Sequence, residues 1–150
     1  MFRATLLFIV FIIVGCNNNQ EQPENRLEGT WQLISGTIIQ NSDTTVTDYT
    51  KGQRMIKIIN ESHFAFLNHD LNKGTDSTAS FSAGGGIYTL NENQYTEYLE
   101  FCSAREWEGH TFEFTVSFES NDTLVQQGVE KIPELGVDRF NIERYVRIRN

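Results

Sequence analysis

The chain has 150 residues, with 12 Lys and Arg against 20 Asp and Glu, a net charge of −8, 39% hydrophobic residues and two cysteines. That length suits one folded domain around a single core or barrel. The acidity argues against nucleic acid as a partner, because phosphate binding needs clustered Lys and Arg, and against an electrostatic grip on anionic lipid.

The amino terminus, Met1-Phe2-Arg3-Ala4, carries one positive charge and leads into an almost unbroken apolar run from Leu6 to Val14. A membrane-spanning helix needs roughly 20 apolar residues, so this run is too short to span and suits the apolar region of a signal peptide. It closes on Ile13-Val14-Gly15-Cys16, which resembles the lipobox of bacterial lipoproteins. The resemblance implies cleavage before Cys16, a diacylglyceryl thioether on that cysteine, and usually a third acyl chain such as palmitate. Each buried methylene contributes about 0.8 kcal/mol, and more than one chain makes a stable anchor. The alternative is an ordinary secretory signal that happens to end in cysteine. Residues 1–15 are therefore the expected signal peptide and 16–26 a lipidated cysteine with its tether. Asn17 to Arg26 has no apolar residue except Pro23, too little to offset ordering entropy. The lipoprotein resemblance also implies the cell envelope. Asn17, rather than Asp, beside the acylated residue favours the outer membrane over the inner.

From Leu27 onward the pattern has period two. Thr111 to Glu119 is the clearest strand, with Phe112, Phe114, Val116 and Phe118 alternating with polar residues. In chain order the expected strands are Thr30 to Gln40, Thr45 to Thr50, Gln53 to Ile59 and His63 to Asn68. A weak one follows at Ser77 to Ser82, then Ile87 to Leu90, Gln94 to Phe101, Thr111 to Glu119, Thr123 to Val129 and Val137 to Arg149. Asn60-Glu61-Ser62, Asn91-Glu92-Asn93 and Ser120-Asn121-Asp122 are short polar breaks suited to hairpins, and Ser103 to Gly109 has room for one helical turn. Gly84-Gly85-Gly86 reads as a turn or strand entry; no Lys-Ser or Lys-Thr follows it, as a phosphate loop requires. Residues 27–150 are thus expected to form an antiparallel up-and-down β-barrel of about eight to ten strands, with a β-sandwich as the alternative.

Gly29-Thr30-Trp31, at the start of the first strand, resembles the opening of a lipocalin or related calycin barrel. His63-Phe64-Ala65-Phe66, Ala83 to Leu90, Tyr95-Thr96-Glu97, Leu99-Glu100-Phe101 and Glu143 to Arg147 resemble a lipocalin-like domain of Bacteroidetes lipoproteins. This resemblance implies a fold and carries no catalytic residues. It also implies that Trp31 packs at the closed end of the barrel beneath a last-strand cation, either Arg144 or Arg147, held over the ring face.

Alternation also marks charges on apolar faces. Glu97 lies on the face of Tyr95, Leu99 and Phe101, and Arg144 on the face of Phe140, Ile142, Val146 and Ile148. If both faces point inward, the two charges pair or meet a polar ligand, because unpaired buried charge is costly. One reading has Arg144 receiving a ligand carboxylate, with Tyr88 or Tyr95 as a nearby donor. The other makes Arg144 the structural cation over Trp31, or turns it to solvent. No metal or cofactor is expected: His63 and His69 would lie ~20 Å apart on one strand, at about 3.3 Å per residue. Cys102 reads as a small buried hydrophobe with no activating cation beside it. The leading expectation is a barrel that binds a small hydrophobic or amphipathic molecule. The alternatives are a filled interaction module, using its outer face or the Lys131 to Asp138 loop, and an enzyme built on Glu97, Tyr95 and Arg144. No protein partner is identifiable from the sequence.

Overall fold

The computed structural model describes residues 26–149. The expected signal peptide, Cys16 and the expected tether through residue 25 lie outside the described residues. Nine antiparallel strands follow in order: β1 (Gly29–Gln40), β2 (Asp43–Asp48), β3 (Gln53–Ile59), β4 (His63–Asp70), β5 (Phe81–Asn91), β6 (Gln94–Cys102), β7 (Thr111–Ser120), β8 (Thr123–Ile132) and β9 (Val137–Arg147). β1 pairs with β3, each of β3 to β8 pairs with the next, and β9 pairs back onto β1. This closes an eight-stranded up-and-down barrel of β1 and β3 to β9, in which each strand has a neighbour on both sides. β2 is the ninth strand. It pairs with the second half of β1, Ser35 to Gln40, while β3 takes the first half, Gly29 to Gln32.

The hairpins fall where the polar breaks stand. Asn41 and Ser42, joining β1 to β2, both have positive φ, of 52° and 69°. That is the requirement of a two-residue turn whose twist matches the strands. One 3-10 turn, Arg105–Trp107, occupies the expected helical stretch, and another, Pro133–Leu135, tips the β8–β9 hairpin. Half of the expected Lys131 to Asp138 loop is strand: Lys131 pairs with Asp138 and Ile132 with Val137.

Two features depart from simple alternation. β5 begins at Phe81, so it absorbs the end of the weak Ser77 to Ser82 segment and carries the three glycines in mid-strand. They are there because the neighbours leave no room for side chains. A Cβ on Gly86 would collide with the Tyr98 carbonyl oxygen and lie 2.8 Å from Glu100 N; one on Gly84 would lie 2.6 Å from the Phe66 ring. The pairing of β5 with β6 also slips at this point, Gly85 facing Phe101 and Gly86 facing Leu99, which leaves Glu100 as an extra residue. A bulge of this kind inverts the inward parity of the strand beyond it. Phe101, expected on the inner face, is therefore 67% exposed, and Cys102 turns inward.

Candidate functional site

The end of the barrel at which β1 begins is closed by Trp31. Its ring is fully buried, its Nε1 donates to the Leu27 carbonyl at 2.8 Å, and Phe118 packs 6.2 Å away. The Arg147 guanidinium lies 4.0 Å from the Trp31 ring centroid. Its two terminal nitrogens donate to the carbonyls of Glu28 and Arg26 at 2.6 Å each. One cation thus fastens the segment entering the barrel to the last strand. Leu33, Tyr95 and Leu124 fill the interior next to this plug and are fully buried.

Farther along the axis the interior opens into a cavity of about 310 Å³, at the lower end of ligand-pocket sizes. Its apolar wall includes Met55, Phe66, Leu99, Phe112, Phe114 and Trp107. The local sequence accounts for these positions, since Phe112 and Phe114 are the inward half of the β7 alternation. Trp107 is delivered by the 3-10 turn, which stacks its ring 5.9 Å from Phe112.

The floor is polar. Lys57 on β3 reaches across to Glu97 on β6 and pairs with its carboxylate, while the same Nζ donates to Gln126 Oε1 on β8 at 2.8 Å. The side chains of Lys57 and Glu97 are only 4% and 9% exposed. Rings of Phe64, Tyr95 and Tyr145 stand 5.3, 5.4 and 5.8 Å from the ammonium. This cross-barrel tie separates the filled end from the cavity: Lys57, Glu97, Gln126 and Tyr145 line it, whereas Trp31, Leu33, Tyr95 and Leu124 do not.

Two further carboxylates line the wall, in different company. Glu130 on β8 accepts from Arg139 Nε at 2.6 Å and from Asn141 Nδ2 at 3.1 Å, and Arg139 also faces the Trp107 ring at 5.4 Å. Glu143 on β9 has no cation within ion-pair distance among the described residues; its partner is the Tyr145 hydroxyl, which donates to Oε2 at 2.8 Å. Glu143 lies inside the barrel yet keeps accessible surface, as part of the cavity wall. Burial raises its carboxyl above the usual range, the Lys57 charge draws it back, and Glu130 and Glu97 push it up again. Burial also raises the Tyr145 hydroxyl, with Glu143 adding to the effect.

The candidates read from the sequence separate here. Glu97 is inside the barrel, as its face implies. Arg147, not Arg144, is the cation over Trp31. Arg144 is exposed and pairs with Glu119 on the outer surface, so it cannot receive a ligand carboxylate in the cavity. The reason is inverted parity: the inward residues of β9 are Asn141, Glu143, Tyr145 and Arg147, and the more apolar face is the outer one. Tyr88 donates to the Asn60 carbonyl at 2.8 Å and does not line the cavity. Tyr95 is fully buried on the filled side of the floor. Its hydroxyl makes no hydrogen bond of good geometry, and burial, reinforced by the Glu97 charge, holds its proton on well above the usual tyrosine range. Glu97, Tyr95 and Arg144 are therefore not assembled into one constellation.

Lys57, Gln126, Glu130, Arg139, Asn141 and Glu143 escaped the sequence reading. A usable signal existed for one of them. Lys57 sits between Met55 and Ile59 on an otherwise apolar face, as Glu97 sits between Tyr95 and Leu99. Cys102 lines the cavity as a free thiol, and its backbone N–H donates to Glu108 Oε1 at 2.9 Å. A second, shallower depression lies on the outer surface over Ala65, Ala83, Gly84, Gly85 and Phe101.

No protein-family model matches the sequence, and no curated protein matches it. Two solved β-barrels align with most of the chain. A de novo designed fluorescence-activating β-barrel shares 13% identity over 82% of this chain and 94% of its own, with a TM-score of 0.43. A redesigned β-barrel shares 12% identity over 83% and 93%, with a TM-score of 0.47. Identities this low say nothing of ligand or activity.

Proposed function

We propose that this is a lipid-anchored cell-envelope protein whose barrel binds one small amphipathic molecule. The observation that carries the binding half is the cavity of about 310 Å³, with apolar walls above a polar floor. A site of this kind holds the apolar body of a ligand by burial and orients it through a few polar groups. The anchoring half rests on Ile13-Val14-Gly15-Cys16 and the polar stretch that follows. Palmitate labelling in cells tests it: label should enter the wild type and be absent from Cys16→Ser, and equal labelling of both would refute it. Native mass spectrometry of purified protein tests the cavity. A bound or titratable small molecule at one per chain supports the reading, and a barrel that takes none contradicts it.

The second reading, an envelope interaction module, has its own observation. The outer face of β3 to β6 carries Ile58, Leu67, Phe81, Ile87, Tyr98 and Phe101, all exposed. Contiguous exposed apolar residues mark interaction surfaces more often than chance. Crosslinking in intact cells would trap a protein partner through this face, and recovery of monomer alone would count against it.

A further inference from the structure

The geometry points to a ligand whose buried end is a protonated amine, held by Glu143. This rests on the barrel being a ligand binder and states the chemistry of that ligand's inner end. The lining holds five charged side chains, and four of them are already neutralised in pairs. Lys57 is paired with Glu97 and also donates to Gln126, and its ammonium lies among three aromatic rings. Arg139 is paired with Glu130. Glu143 remains, with a neutral tyrosine hydroxyl as its hydrogen-bond partner and accessible surface facing the cavity.

A carboxylate head group has no vacant cation to meet in this cavity. It would instead enter among Glu97, Glu130 and Glu143. A neutral alcohol can donate to Glu143 but leaves its charge uncompensated, so the carboxyl must stay protonated. An alkylammonium supplies both the missing countercharge and the hydrogen-bond donors, and its apolar chain runs up the wall of Met55, Phe66, Leu99 and Phe112. A charged pair removed from water is favourable only with good geometry and satisfied partners. Tyr145, which already donates to the other carboxylate oxygen, supplies part of that satisfaction. The cavity equals about ten water volumes, so a short or medium alkyl chain suits it better than a long one.

The test compares three molecules of equal chain length: decylamine, decanol and decanoate. Each competes with the neutral fluorophore N-phenyl-1-naphthylamine for the full chain carrying Cys16→Ser, which removes the acylation site. Decylamine should displace the fluorophore at a concentration at least tenfold below that of decanoate. Glu143→Gln should erase this preference while still binding decanol, and Glu119→Gln, on the outer surface, should keep it. Decanoate binding as tightly as decylamine, or a preference that survives in Glu143→Gln, overturns the amine assignment and leaves the binding reading standing. Failure of the fluorophore and of all three compounds to bind overturns both.

Discussion

Replacing Lys57 by Met removes one partner of a tie whose two side chains are 4% and 9% exposed. The lost ammonium would leave the Glu97 carboxylate facing Phe112 and the aromatic floor, with Gln126 Oε1 also deprived of its donor. Breaking a buried ion pair from one side costs about 3–5 kcal/mol. Glu97 touches the cavity, so water can reach it, which places the expected loss at the lower end, about 3 kcal/mol. For a domain of this size that corresponds to a fall in Tm of about 12 °C. The double replacement Lys57→Met with Glu97→Leu removes both charges. It should recover to within about 1 kcal/mol of the wild type, the remainder being the unpartnered Gln126 acceptor. Urea unfolding followed by circular dichroism on the wild type, Lys57→Met, Glu97→Leu and the double variant gives the full cycle. A single-mutant loss below about 1 kcal/mol, or a double mutant as unstable as the single, would refute the account of a desolvated cross-barrel tie.

Arg147→Ala should cost about 2–4 kcal/mol, since it removes a cation over a buried indole and two hydrogen bonds to carbonyls. Arg144→Ala should cost under about 1 kcal/mol, because that pair is solvent-exposed; thermal unfolding of the two variants decides which arginine closes the barrel. Gly86→Ala places a methyl group against the Tyr98 carbonyl and should prevent correct pairing of β5 with β6, seen as loss of the cooperative transition, whereas Gly52→Ala meets no atom within 4 Å and should fold, at a cost of about 1–2 kcal/mol for its positive φ of 71°. Glu143 has a folded carboxyl raised above its unfolded value, so it favours folding least at neutral pH and stops opposing it below about pH 4.5. Glu143→Gln should therefore be more stable than the wild type at pH 7. That advantage should vanish as pH falls through the unfolded carboxylate range; an advantage constant with pH would contradict a partly desolvated carboxyl with no cation beside it.

Much of the barrel is legible in the sequence because its strands have one apolar face and its breaks carry turn residues. Phe112, Phe114 and Val116 announce the inner face of β7 directly. Legibility fails where the chain departs from strict period two or where the interior is not apolar. The extra residue at Glu100 inverts the end of β6, and no local composition marks it. On β9 the inward residues, Asn141, Glu143 and Tyr145, surround the cavity and its polar floor, while the outer face carries Phe140, Ile142 and Val146. A rule that sends apolar residues inward therefore selects the wrong arginine. The glycines of β5 read as a turn because their cause, the approach of Phe66, Tyr98 and Phe101 from neighbouring strands, is tertiary. Glu97 stands out on its apolar face, and Lys57, between Met55 and Ile59, carries the same signal unread; only the barrel brings them together across its axis.

The proposed ligand site is the interior cavity above the Lys57–Glu97 tie, not the outer depression on β4 to β6. Titration of N-phenyl-1-naphthylamine into the wild type, Ser82→Trp and Ala83→Trp tests it most directly, because these adjacent β5 residues face opposite sides of the sheet. Ser82 lines the cavity and Ala83 borders the outer depression. Saturable binding at one per chain should be lost in Ser82→Trp and retained in Ala83→Trp. Binding lost in Ala83→Trp and retained in Ser82→Trp would contradict it.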